Sequence, residues 1–231
     1  MKYRIICILL VATTGQAEQS VIYINQIGSN DAVIISQHNQ NNTISGYSTT
    51  EMPLYGGNNT LAIHQGESSN SSSANNMMLV DVIGNGGNLL NFNQGTDTNG
   101  YGNGLDTGNH VLGIQINGSL NSVTTQQQNT GVASGHYAEV SILGSANTVG
   151  IAQTGNSEHT LNLQLVGNGN NAIVDQNNSG SPTANTASIS LTNAGGPVGI
   201  NLTQTGGQAY SVNSVCFNPS GCGTITVRQG N

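Results

Sequence analysis

Charge is what this sequence has least of. Among 231 residues there are 3 Lys or Arg and 10 Asp or Glu, a charged share of 6%, where an average soluble domain carries roughly 25%. A nucleic-acid binder needs cations to displace counterions from phosphates, so that class is excluded. A polybasic membrane-surface binder fails on the same ground. Trp is absent and Phe occurs twice. Three cysteines are too few for a disulfide-dense scaffold. Long apolar runs are missing as well, and no segment beyond the N-terminus reaches the roughly 18 residues of a membrane helix. A disordered chain of the usual kind has high net charge and few β-branched residues, whereas Ile, Val and Thr are plentiful here. Neutral polarity has taken the place of charge: 34 Asn and 17 Gln put a side-chain amide on 51 residues, beside 32 Gly.

The first seventeen residues read as a secretory signal peptide. Lys2 and Arg4 form a positive n-region, Ile5 to Ala12 an apolar h-region, and Gly15 and Ala17 the small residues before a cleavage point after Ala17. The alternative is a short buried strand. Cleavage would leave residues 18–231 as one repeat domain, with Arg228 as its one cation against ten carboxylates, a net charge of −9.

The repeat is anchored on glutamine. Gln37, Gln65, Gln94, Gln127, Gln153, Gln176, Gln204 and Gln229 each end a short alternating apolar run, as in Val33-x-Ile35-x-Gln37 and Ile151-x-Gln153. Alternation of period two is a half-buried strand, and it puts every one of these Gln on the apolar face. A second alternating run precedes each: Ile22-x-Ile24-x-Gln26, Thr50-x-Met52-x-Leu54, Met78-x-Val80-x-Val82, and so on to Ile189-x-Leu191-x-Asn193. In seven units a glycine follows two residues later: Gly28, Gly56, Gly84, Gly118, Gly144, Gly167 and Gly195. Asn121, Asn147 and Asn170 fall in the same arcs, where Gly and Asn tolerate positive φ. The unit is therefore strand–arc–strand–loop. One unit cannot bury its own apolar face, but stacked units bury a continuous core. The expected fold is all-β, a β-solenoid of about eight rungs with an inward Gln ladder. Each amide both donates and accepts, so such a stack satisfies itself.

The pattern resembles the curlin repeat, the Ser-x5-Gln-x-Gly-x-x-Asn-x-Ala-x4-Gln type of motif of curli amyloid subunits. The first unit carries it best, through Ser20, Gln26, Gly28, Asn30, Ala32 and Gln37, and the sixth matches at Gly167, Asn170, Ala172 and Gln176. Asn30 and Ala32 fall one residue earlier than in the commonest form. Only Gln26 fills the first Gln position; Leu54, Val82, Ile116, Ile142, Leu165, Asn193 and Asn218 stand there in the other units. The resemblance implies a secreted structural subunit of an extracellular functional amyloid fibre, serving biofilm and adhesion, and not an enzyme. Its implied partners are further copies of itself, a nucleator subunit and an outer-membrane secretion machinery. No cofactor and no nucleic acid are expected. The alternative is a monomeric β-solenoid module that binds ice, a glycan or a surface.

Two further groups stand out. His110, His136 and His159 share one position in consecutive units, six residues before the end of the first strand, where Ser20 and Ser48 stand in the first two. They form either a metal- or pH-sensitive ladder or a plain polar edge; adjacent imidazolium groups would repel. Cys216 and Cys222 could close a disulfide in an exported chain or stay as two thiols. Gly102-x-Gly104-x-Asp106 resembles a single turn of a calcium-binding β-roll, and alone it reads as a loop. The sequence has no Gly-x-Ser-x-Gly and no set of metal ligands or paired carboxylates at catalytic spacing.

Overall fold

The computed structural model describes residues 21–22, 24–27, 32–37, 42–46, 52–65, 75–95, 108–129, 135–178, 182–193 and 196–230. The signal peptide, Gly28, Gly195, Thr50, Ser20, Ser48 and the loop of Gly102 to Asp106 lie outside them.

The described chain is all-β. Its strands are β1 (Val21–Ile22), β2 (Ile24–Ile27), β3 (Ala32–Gln37), β4 (Thr43–Ser45), β5 (Met52–Tyr55), β6 (Thr60–Gln65), β7 (Met77–Gly86), β8 (Leu89–Gln94) and β9 (Val111–Ser119). They continue as β10 (Ser122–Asn129), β11 (Tyr137–Leu143), β12 (Thr148–Gly155), β13 (Thr160–Asn162), β14 (Asn171–Asn177), β15 (Thr186–Asn193), β16 (Gly199–Thr205), β17 (Ala209–Cys216) and β18 (Thr224–Gln229). One sheet runs β1-β4-β7-β9-β11-β13-β15-β17, with β2 and β5 alongside; the other runs β18-β16-β14-β12-β10-β8-β6-β3. Every strand pairing is parallel, and in the second sheet the eight Gln stand in one register column from Gln37 to Gln229.

The fold is thus a β-solenoid whose rungs alternate between two sheets, as the alternating runs require. The core between the sheets is built from the inward residues of both, such as Leu112, Ile114 and Ile116 facing Val123, Val149 and Ile151. About six turns are complete, fewer than the eight expected. The arc of the first unit lies outside the described residues. The last unit closes through the loop between Cys216 and Cys222 in place of a tight arc.

Register corrects three assignments. Ile44, and not Thr50, takes the first inward place of the second unit, because it pairs with Ile22 and Met78. The first strand of that unit is split: one residue, Tyr23, separates Ile22 from Ile24, but seven, 45 to 51, separate Ile44 from Met52, its partner in register. An insertion inside the strand hides the frame from a period count. In the seventh unit Ala187 pairs with Leu161, so Leu191 takes the column of Leu165, and Asn193 reaches the glycine column. There its Oδ1 lies where a Cβ on Gly167 would project. The same shift puts Ser214, opposite Leu191, in the column assigned to Asn218.

Candidate functional site

Most of the polar side chains buried in the solenoid form three axial ladders. In the first, Gln65 Nε2 donates to Gln94 Oε1 (3.1 Å), and the same bond continues through Gln127 (2.8 Å), Gln153 (2.9 Å), Gln176 (2.9 Å), Gln204 (2.9 Å) and Gln229 (3.0 Å). Each amide nitrogen also crosses the core. Gln127 donates to the Val111 carbonyl at 3.1 Å, Gln153 to Tyr137 at 2.9 Å and Gln176 to Thr160 at 3.0 Å. One side chain thus stitches adjacent rungs and both sheets, which satisfies groups that would cost about 1–3 kcal/mol each if left bare.

The second ladder is built from the asparagines that the sequence pattern places in the arcs as turn formers. In four arcs the glycine and the residue two beyond it have positive φ: Gly56 and Asn58, Gly118 and Leu120, Gly144 and Ala146, Gly167 and Gly169, the last arc adding Val166. Asn121, Asn147 and Asn170 do not have positive φ. Their side chains point inward and are buried. Asn121 Nδ2 donates to Asn88 Oδ1 (3.1 Å) and to the Gly144 carbonyl (3.0 Å); Asn147 repeats this on Asn121 (3.1 Å) and Gly167 (2.9 Å). The backbone N–H of each rung donates to the same Oδ1 one rung back, from Asn88 on Asn59 through to Val198 on Asn170. The available signal was the fixed Asn-x5-Gln spacing at 59/65, 88/94, 121/127, 147/153 and 170/176, since a purely conformational Asn need not keep step with the core.

The third ladder holds the histidines. His110, His136 and His159 are fully buried. They turn a corner between the end of one unit and the start of the next, a position that continues backward through Asn76 and Asn42 and forward to Asn185. Each side chain accepts the backbone N–H of the following rung: Asn42 from Asn76 (3.0 Å), Asn76 from His110 (3.1 Å), His110 Nδ1 from His136 (2.9 Å), His136 Nδ1 from His159 (3.1 Å), His159 Nδ1 from Asn185 (3.0 Å) and Asn185 from Gln208 (2.8 Å). The rings stack with centroids 5.2 and 4.8 Å apart. Asn42 takes the place expected of Ser48, which follows from the split strand.

No family model, curated protein or solved structure matches the chain.

The remaining predicted residues fall into place around these ladders. Gly84, Gly118 and Gly144 lie in one column at the mouths of the arcs, where a Cβ on Gly118 would collide with the Gly144 carbonyl oxygen. At Gly84, Gly118 and Gly144 the contact is with the backbone of the next rung and leaves no room for a side chain, whereas at Gly167 it is with the Asn193 side chain. Cys216 and Cys222 are bridged across the last loop, whose Cys222 N–H donates to the Pro197 carbonyl of the previous rung at 3.0 Å. Closing so short a loop stabilises by about 2 kcal/mol on the chain-entropy account. The expected result of Cys216→Ser is therefore a local loss, read as faster amide hydrogen exchange in β17 and β18 with β9–β12 unchanged. Among the described residues no group of three or more His, Cys, Asp or Glu is arranged to hold a metal ion, and no helix is long and apolar enough to cross a membrane.

Proposed function

We propose that the chain is the structural subunit of an extracellular, cell-surface fibre of amyloid type, growing by stacking copies rung on rung. The observation that supports it is the equivalence of the solenoid's rungs along its axis. Val33, Ile35 and Gln37 occupy the same register columns as Ile225, Val227 and Gln229. A further copy therefore continues the apolar columns and the Gln ladder without a change of frame.

The last described rung is also the least covered. Ile225 is 36% exposed where Ile200, one rung back, is 1% exposed. Strand β18 pairs only with β16 among the described residues. An uncovered strand of this kind is a template for another chain, and parallel in-register stacking at about 4.8 Å is the geometry of cross-β assemblies. The resemblance to curlin repeats adds secretion and an accessory nucleator to the same reading.

The test is assembly. Purified 18–231 is expected to form thioflavin-positive fibres with a meridional reflection near 4.8 Å, and Val227→Lys is expected to slow elongation by burying a charge at the junction. Protein that stays monomeric for days at high concentration would sink the proposal and turn attention to a monomeric binding or adhesion module.

A further inference from the structure

The neutral-side geometry of the histidine corner carries a consequence for when the chain can fold. Nδ1 of all three imidazoles accepts a backbone N–H, so the ring proton of the neutral form resides on Nε2. That nitrogen is used too: His136 Nε2 faces the Gln128 carbonyl at 3.1 Å and His159 Nε2 the Thr154 carbonyl at 2.9 Å. Neutral imidazole has one donor and one acceptor, and this corner uses one of each. A second proton would convert Nδ1 into a donor aimed at an N–H, breaking the corner bond of the next rung. It would also place like charges about 5 Å apart inside the core.

We infer that His110, His136 and His159 form an acid-released latch, so that rungs four to seven close only when all three imidazoles are neutral. The surroundings offer no compensating charge among the described residues. The inward side chains of β9, β10, β11 and β12 are all uncharged, the polar ones being Thr125, Gln127, Asn129 and Gln153. Of the carboxylates on neighbouring elements, Asp81 on β7 is buried but on the face of its strand opposite Val80 and Val82, Glu139 on β11 and Asp175 on β14 stand at outward positions, and Glu158 precedes β13. Glu139 instead accepts a hydrogen bond from the Tyr137 hydroxyl. Burial pushes the His159 imidazole below its ordinary value, opposed by the Thr154 carbonyl.

The sign follows from linkage. A histidine whose folded value is depressed binds its proton more readily in the unfolded chain, so folding loses stability as pH falls from the unfolded value near 6.5. The stabilisation is fully present above that pH. His159 thereby raises the unfolding constant by up to about tenfold per pH unit below it. This rests on the geometry of a single chain and stands whether or not fibres form.

Two measurements decide it. The imidazole 15N shifts of the wild-type protein are expected to report Nε2–H, with Nδ1 bare, at all three positions at pH 7.5, and His159 is expected to stay neutral until the structure opens. Nδ1–H at any of the three positions at pH 7.5, or titration of the His159 ring near pH 6.5 with the fold intact, would overturn the inference. The second is denaturant unfolding of the soluble chain between pH 7.5 and 5.5, wild type against the triple variant His110→Asn, His136→Asn, His159→Asn. Asn is the residue already used at this corner by neighbouring rungs. The wild type is expected to lose stability across that range and the variant to lose at least tenfold less in its unfolding constant. Equal pH dependence in the two would also overturn it. Should the triple variant fail to fold at pH 7.5, the 15N measurement alone decides.

Discussion

Gln127→Ala is expected to cost about 3–5 kcal/mol of unfolding free energy, measured as a lowered urea midpoint at pH 7.5. The substitution removes both axial bonds, to Gln94 at 2.8 Å and Gln153 at 2.9 Å, together with the amide that reaches the Val111 and His136 carbonyls at 3.1 Å each. It also leaves a cavity at a fully buried position. Gln127→Leu separates the two effects. Leucine restores most of the volume but leaves the neighbouring amides and carbonyls without partners, so about 2–4 kcal/mol should still be lost. Gln126→Ala, one residue away and facing outward, should change stability by less than about 0.5 kcal/mol. If Gln127→Leu were as stable as the wild type, the ladder would be packing alone and not a hydrogen-bonded stack.

Gly144→Ala should be nearly as damaging, at about 2–5 kcal/mol. The residue has a φ of 141°, a conformation that L side chains avoid at a cost of about 1–2 kcal/mol. The added Cβ would meet the carbonyl oxygen of Gly167, and relieving such overpacking costs about 1–3 kcal/mol more. Gly150 provides the contrast within the same unit. It lies in β12, has no positive φ and has open space where a Cβ would project. Gly150→Ala should therefore stabilise by about 0.5–1 kcal/mol, because alanine loses less backbone freedom on folding. Thermal unfolding of the two variants side by side checks both signs.

What could be read in the sequence was whatever kept a constant offset from the core. The Gln anchors end strands of period two, so their spacing gave the second sheet and its register directly. The first sheet was less legible because its strands vary: seven residues replace one between Ile44 and Met52, and the run at Ile189 to Asn193 is displaced by two residues from its partners. Alternation cannot detect a shift of two, since it leaves every side chain on the same face. The Asn ladder was visible but misread, because Asn is also a turn former and its arc position fitted that role equally well. The burial of the histidine corner depends on how loops return between units, which local pattern does not encode.

The two amide ladders differ in direction. From amide to amide, each Gln Nε2 donates toward the C-terminal neighbour, whereas Asn121 and Asn147 Nδ2 donate toward the N-terminal one, their second proton going to the glycine carbonyl of the next rung. Their amide dipoles, each comparable to a peptide group at about 3.5 D, therefore point in opposite senses along the rod. Two ladders aligned the same way would sum their fields with length, as peptide units do in a helix. Opposed ladders largely cancel rung by rung, so the side-chain polarisation of a long stack does not grow with the number of rungs.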